Sequence, residues 1–106
     1  MRTSQKIRIL KELREIFSPI CVTFSLLNNE HEYVSHKGMC GELNDILYEK
    51  FKLGKISEND YSLSIFDFGI IRPRSTYGKV WWWPTNEYGH KKRVQCINRA
   101  IKRLEK

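Results

Sequence analysis

The stretch that decides the fold is HKKRVQCINRAIKRLEK, residues 90–106. Its apolar residues recur three and four positions apart, which is the spacing of one helical face. They are Val94, Ile97, Ile101 and Leu104. Most of the remaining positions are basic or polar, namely Lys91, Lys92, Gln95, Arg99, Lys102, Arg103 and Lys106. The pattern predicts an amphipathic last helix with a basic exterior, whose apolar stripe packs against other helices.

The N-terminal region predicts another helix, which Ser4 can cap. Its apolar residues also follow the helical period: Ile7, Ile9, Leu10, Leu13, Ile16 and Phe17. Ser18-Pro19 predicts the end of this helix, because a residue before proline avoids the helical region. The apolar segment Ile20–Leu27 that follows suits either a short strand or a buried irregular segment.

A third helix is predicted from about Gly41 to Leu53, and Gly54 suits the left-handed position that closes a helix. The expected buried stripe consists of Leu43, Ile46, Leu47 and Phe51.

A fourth helix is predicted after Ser57, which is a candidate N-cap with Asp60 in the positive first turn. Residues from Tyr61 onward alternate like a strand as well as fitting a helix, and the cap favours the helix. Gly69 and Pro73 are expected to end it.

These elements predict a mainly α fold, a compact bundle of about four helices with a Trp-rich loop over 72–87. A short β element near 20–26 or 79–83, or an α+β arrangement, is the alternative. The 106 residues leave room for a single domain, 1–106, and the 41% hydrophobic content argues against disorder.

The charge is unevenly distributed along the chain. The net charge is +7, and residues 72–106 hold ten Lys or Arg against two Glu, whereas residues 18–71 hold four Lys against eight Asp or Glu. A localised positive field attracts phosphates, nucleic acid or an acidic protein face. A charged surface that only maintains solubility is the alternative.

Compartment is inferred from two features. The longest uncharged run, residues 16–29, is shorter than the roughly 20 residues a membrane-spanning helix needs, and the start lacks a signal-peptide pattern. Cys21, Cys40 and Cys96 form no C-x-x-C pair and suggest free thiols in a reducing compartment. We therefore expect a cytoplasmic protein.

The most unusual segment is RPRSTYGKVWWWP, residues 72–84. Pro73 stiffens the backbone between two arginines whose guanidinium forks match phosphate oxygens. In an extended backbone Trp81 and Trp83 point to one side, roughly 6.6 Å apart, and Trp82 to the other. Aromatic rings beside cations are typical of sites that stack a base and hold its phosphate. Packing of the indoles onto the core is the alternative.

The start of the last helix extends this candidate site, because free N–H groups and basic side chains favour a bound anion there. The predicted ligand-binding residues are Arg72, Arg74, Ser75, Lys79, Trp81, Trp82, Trp83, His90, Lys92 and Arg93. Arg72 and Arg74 could instead pair with the acidic middle of the chain.

No sequence motif indicates catalysis. Walker, G-x-G-x-x-G, G-x-S-x-G and H-E-x-x-H patterns are missing from the sequence. His31, His36 and Cys40 match no compact zinc pattern, even with His90 or Cys96 as a fourth ligand. A Cys40–His36 nucleophile pair would lack an orienting third group. We predict no enzyme activity, no metal and no cofactor.

Part of the sequence resembles a class of small, mostly uncharacterised tailed-phage proteins, over roughly residues 38–104. The residues that carry the resemblance are, in order, Gly38-Met39-Cys40, Leu43, Gly54-Lys55-Ile56-Ser57, Arg72-Pro73, Trp82-Trp83-Pro84 and Arg93. The chain departs from that pattern in the Ile20–Leu27 stretch and in its third tryptophan. The resemblance implies a phage accessory protein that counters host defence.

Three functional hypotheses follow. In the first, the chain binds an anionic nucleotide, such as a defence signal, through the arginines and tryptophans of 72–84. In the second, it inhibits a CRISPR effector or another defence nuclease by direct contact, using exposed aromatic and arginine side chains as anchors. In the third, it binds nucleic acid through its basic last helix. Self-association is open in all three.

Overall fold

A computed structural model describes residues 1–27, 38–70 and 87–106, with side chains described for 1–17, 38–70 and 88–106. Four helices lie within these ranges: α1 Thr3–Leu27, α2 Gly38–Lys52, α3 Glu58–Tyr61 and α4 Glu87–Glu105. The described ranges contain no strand. The predicted mainly helical bundle of about four helices is therefore confirmed, and the Trp-rich loop lies outside the described residues.

The two longest helices, α1 and α4, form the main contact of the bundle. Both predicted stripes contribute buried residues to one core: Ile9, Leu10, Leu13, Phe17, Ile97 and Ile101. Ala100 joins them without having been predicted, whereas Ile7, Ile16, Val94 and Leu104 are only partly buried. The helices run antiparallel, because Phe17 approaches His90 while Arg14 Nη1 donates to Asn98 Oδ1 at 2.9 Å. Ala100 is fully buried, and its small side chain permits close approach of the two backbones.

Helix α2 packs on a different side of α1, through the buried side chains of Leu43 and Leu47. An ion pair between Lys50 Nζ and Glu12 Oε2 at 3.0 Å joins the two helices at the surface. The helix spans Gly38–Lys52 rather than the predicted 41–53. Its predicted stripe is confirmed at Leu43 and Leu47, whereas Ile46 is only half-buried.

Gly54 closes α2 as predicted, with φ +71°. The N–H of Lys55 donates to the Lys50 carbonyl at 2.9 Å, and the N–H of Gly54 donates to the Phe51 carbonyl at 3.0 Å. These two hydrogen bonds define a Schellman motif, which satisfies carbonyls that the helix end leaves open.

Ser57 caps α3 as predicted, and its hydroxyl accepts a hydrogen bond from the Asp60 N–H at 3.1 Å. The expectation that this helix continues towards Gly69 is wrong, because α3 ends at Tyr61. The Ser62 hydroxyl donates to the Asn59 carbonyl at 2.7 Å, so a serine side chain engages the backbone where the helix stops.

A separate turn follows α3 and brings Ile65, Phe68 and Ile70 into the core. Asp67 Oδ2 accepts hydrogen bonds from the Ser64 N–H at 2.7 Å and the Ser64 hydroxyl at 3.0 Å, much as in a capping box. The turn ends in a second Schellman-type closure at Gly69, which has φ +75°. Serines therefore divide the predicted helix into two short units.

The predicted end of the first helix at Ser18-Pro19 is also wrong, because α1 continues through Pro19 to Leu27. The alternative of a short strand near 20–26 is wrong for the same reason. A proline removes only one helical hydrogen bond, and the turns on either side can keep theirs. The apolar run 20–27 therefore extends the helix.

The fold predicts a large stability difference between two leucines of the α2 region. Leu47 is fully buried, whereas Leu53 is 66% exposed just beyond the helix. Leu47→Ala should lower the free energy of unfolding by about 2–5 kcal/mol, because it leaves a cavity. Leu53→Ala, the matched control, should change it by less than about 0.5 kcal/mol. Urea unfolding followed by circular dichroism measures both, and equal losses would contradict this packing.

A second prediction concerns acid stability. The backbone and side-chain hydrogen bonds from Ser64 hold the pKa of Asp67 below its ordinary value of 3.8. This stabilisation is present above the ordinary pKa and is lost as the pH falls through the lower value of the folded state. Asp67→Asn keeps an acceptor oxygen but does not titrate.

The urea midpoint should therefore fall more steeply with acidification in the unmodified chain than in the Asp67→Asn variant. Glu105→Gln, at an exposed position near the end of α4, removes one carboxylate elsewhere and serves as the control. Identical pH profiles for the unmodified chain and Asp67→Asn would show that the Ser64–Asp67 contact contributes nothing to stability.

Candidate functional site

Most of the predicted binding residues lie outside the described part of the chain. These are Arg72, Arg74, Ser75, Lys79, Trp81, Trp82 and Trp83. The described members are His90, Lys92 and Arg93, all on α4. The candidate site is therefore built here from α4 and its neighbours.

His90 and Arg93 face inward rather than towards solvent. Their exposed fractions are 1% and 4%, and the His90 ring lies 6.2 Å from that of Phe17. His90 and Arg93 lie about 20° and 40° around the helix axis from Ile97, so both belong to the inner stripe, one turn before Val94 and Ile97. Among the described residues, no hydrogen bond reaches the buried Nδ1 of His90.

Five cations on the outer side of α4 and one directly after its end form a surface that we call the basic face: Lys91, Lys92, Arg99, Lys102, Arg103 and Lys106. Each lies at least about 120° around the helix axis from Ile97, which points into the core. Five are exposed and Lys92 is half-buried. The face extends for roughly 22 Å at 1.5 Å per residue. Between residues 88 and 106 the sequence contains a single acid, Glu105.

The basic face is not neutralised by carboxylates of the neighbouring helices. Within the described residues, Lys92, Arg99 and Lys102 form no ion pair. Arg103 donates a hydrogen bond to the carbonyl of Gly69, which fixes the direction of its guanidinium group. Lys92, Arg99 and Lys102 therefore lie on one surface and are available to an anion.

Four of the described acids lie on the side of α1 that faces α2. Glu12 and Arg14 are about 200° apart around the α1 axis, and they contact α2 and α4 respectively. On the Glu12 side, α1 and α2 enclose an open groove of about 410 Å³. Its charged lining consists of Glu12, Glu42, Asp45, Glu49, Lys50 and Lys55. The side of α1 that faces α2 therefore carries an excess of acids, whereas the outer side of α4 carries cations.

An exposed aromatic ring stands at the N-terminal end of the basic face. Tyr88 is 59% exposed, and Lys92 Nζ lies 5.4 Å from the centre of its ring. Sequence reasoning does not single out Tyr88. The available signal is the spacing of four residues between a tyrosine and a lysine, which places them on adjacent turns of one helix face.

A second exposed aromatic cluster lies on α2 and α3. The Tyr61 ring lies 5.8 Å from that of Tyr48 and 5.1 Å from that of Phe51. The prediction that Phe51 belongs to the buried stripe is wrong, since it is 38% exposed. Lys52 Nζ lies 5.5 Å from the Tyr48 ring centre, which is the same arrangement as Tyr88 and Lys92.

The described cysteines do not have the properties of nucleophiles. Cys40 and Cys96 are free thiols, and burial raises the pKa of each. The cations Arg99, Arg103 and Lys92 lower the pKa of Cys96, but burial has the larger effect. A raised pKa reduces the thiolate fraction, which is opposite to the shift that activates a catalytic cysteine.

The described ranges show neither a metal site nor a membrane-spanning helix. They hold no group of three or more His, Cys, Asp or Glu side chains that could bind a metal ion. None of their helices combines the length and the apolar character needed to cross a membrane.

Comparisons with protein-family models, with curated proteins and with solved structures find no match for this chain. The site must therefore be interpreted from its own residues.

The inward position of His90 leads to a prediction about stability. His90→Ala should lower the free energy of unfolding by about 2 kcal/mol or more, because it empties a fully buried position beside Phe17. Gln95→Ala, at an exposed position on the same helix, is the control and should stay within about 0.5 kcal/mol of the unmodified chain. A His90→Ala variant as stable as the control would place His90 at the surface instead.

Proposed function

We propose that this chain binds nucleic acid through its phosphate backbone, using the basic face of α4. The observation that carries the proposal is the alignment of six lysines and arginines along one solvent-facing side of α4 and its end, while four acids line a groove on another side of α1. This is the third of the functional hypotheses that the sequence raises, and it rests mainly on described residues.

The dimensions of the basic face suit a phosphate chain. Its length of roughly 22 Å spans about six phosphates along one strand of a duplex, at about 3.4 Å of duplex axis per phosphate. Arg99 is three residues from Lys102 and four from Arg103, which separates their Cβ atoms by about 5–6 Å. A gap of seven residues, about 10 Å along the helix axis, separates Lys92 from Arg99. Flexible lysine and arginine side chains can adjust from that spacing to individual phosphates.

Arginine and lysine contribute differently to such a surface. Arg99 and Arg103 present planar forks that can bind two oxygens of one phosphate, whereas the lysines act as mobile point charges. The hydrogen bond from Arg103 to Gly69 orients one of these forks before any ligand arrives. Binding energy then comes largely from counterions that the phosphates release.

Solubility alone does not call for this arrangement, because a surface that mixes both signs of charge is sufficient for it. The exposed side of α1 has such a mixture, with Arg8, Lys11, Glu12 and Glu15 close together. The basic face of α4 has cations only. Segregation of one sign is the feature that distinguishes a phosphate-binding surface from an ordinary charged one.

The two other hypotheses stay predictions with their own tests. Nucleotide binding depends on Arg72, Arg74 and the tryptophans, which lie outside the described residues, and thermal-shift measurements with cyclic and linear nucleotides would test it. Inhibition of a CRISPR effector or another defence nuclease rests on the phage resemblance. A nuclease assay with the purified effector would test that activity.

Nucleic-acid binding can be measured by fluorescence anisotropy with labelled oligonucleotides of about 15 nucleotides. We expect affinity to fall steeply with salt, with a slope of about −4 in a plot of log K against log salt for six contacts on a single strand. The double variant Arg99→Gln/Lys102→Gln removes two of these contacts. It should weaken binding and make the slope shallower by about 1.4.

The matched control is Arg8→Gln/Lys11→Gln, which removes the same charge from exposed positions on α1. It should leave the salt slope close to that of the unmodified chain. Thermal unfolding verifies that both variants stay folded. The proposal fails if no oligonucleotide binds at low salt, or if the two double variants weaken binding equally.

A further inference from the structure

We infer that the basic face takes single-stranded nucleic acid in preference to a duplex, with Tyr88 as the ring on which an unpaired base stacks. This inference rests on the proposed function and adds the class of nucleic acid to it. It is carried by the position of one exposed aromatic side chain at the end of a row of cations.

Tyr88 lies on the same side of α4 as the basic face, about 180° around the helix axis from Ile97. Its exposed fraction of 59% is the highest among the tyrosine and phenylalanine side chains that the structure describes. The side chain is therefore reachable from solvent at the same surface as Lys91 and Lys92. A ligand that follows the basic face reaches Tyr88 at its N-terminal end.

The contact with Lys92 makes this ring a suitable stacking platform. Lys92 Nζ lies 5.4 Å from the ring centre, within the range of a cation–π interaction. The interaction restrains both side chains and places a positive charge next to the ring. A nucleotide whose base stacks on Tyr88 would hold its phosphates within reach of Lys92 and Lys91.

Duplex and single strand differ in what they can offer to this surface. Both present phosphates to the cations, but the bases of a duplex are already stacked and paired. Only an unpaired base can lie flat on the tyrosine ring, and base–aromatic stacking contributes enough to raise affinity about tenfold. Because every base has a flat face, we expect little sequence preference.

The Tyr48–Lys52 pair provides a matched control within the same chain. It has the same spacing of four residues, the same type of contact at 5.5 Å, and a tyrosine that is 44% exposed. It lies on α2, however, where Asp45 and Glu49 line the neighbouring acidic groove. Carboxylates repel phosphates, so a strand should avoid this pair.

The experiment compares three labelled ligands of about 15 units: a thymidine strand, a duplex, and an abasic sugar-phosphate strand. The abasic strand retains the phosphates and lacks the bases. The unmodified chain should bind the thymidine strand about tenfold more tightly than the abasic strand, and more tightly than the duplex. Tyr88→Leu should abolish this advantage without changing the salt slope, whereas Tyr88→Phe and Tyr48→Leu should retain it.

Two results would overturn the inference. Equal affinity for the thymidine and abasic strands would exclude stacking, and equal effects of Tyr88→Leu and Tyr48→Leu would exclude Tyr88 as its site. Phosphate binding is tested separately by Arg99→Gln/Lys102→Gln, which should weaken binding of all three ligands. If that double variant weakens binding while the Tyr88 variants change nothing, the proposed function stands and the single-strand preference fails.

Discussion

The burial of the apolar stripes of α1 and α4 against each other is the interaction on which the rest of the structure depends. An isolated helix of this length is marginally stable in water, and most of its stability in a protein comes from packing of its apolar face. Phe17, Leu13 and Ile97 are fully buried at this contact. Helix α2 and the turn 64–70 complete a core that these two helices begin.

That contact also allows the basic face to exist. Like charges three or four residues apart destabilise a helix by about 0.2–0.5 kcal/mol per pair. Such pairs lie within α4 and at its end: Arg99–Lys102, Arg99–Arg103 and Lys102–Lys106. Packing of the opposite side of the helix offsets this repulsion. The concentration of charge is therefore tolerated because of the core, and it would be relieved by any ligand that supplies negative charge.

Much of this fold could be predicted from the sequence, because a helical period of apolar residues is visible without knowledge of what covers it. The period in 90–106, the cap at Ser57 and the closing Gly54 each depend on neighbours within a few residues. The predicted end of α1 at Pro19 was wrong, because the rule that a residue before proline avoids the helical region considers one residue only. It does not include the hydrogen bonds of the surrounding helical turns, which can keep the helix intact.

The candidate site was harder to predict. The basic exterior of α4 follows from composition and period, and the same period places His90 and Arg93 on the face of Ile97, although their polar side chains suggest an exposed position. Polar residues in a helical stripe suggest that this side of the helix is exposed to solvent, and only the packing of the adjacent helices shows that it is buried. Tyr88 was missed because a single aromatic residue at a helix start has no period, and its exposure is a property of the tertiary structure.

The separation of charge across α1 has a consequence for how fast a partner is found. A body with cations on one flank and carboxylates on the other has a permanent electric dipole, and a polyanion exerts a torque on it before the two surfaces touch. The protein would rotate as a polyanion approaches, so that α4 faces the polyanion when the two collide. This orientation raises the fraction of collisions that lead to binding. In the proposed binding mode, the acids of the groove between α1 and α2 would therefore aid recognition from a distance, although the groove faces away from α4.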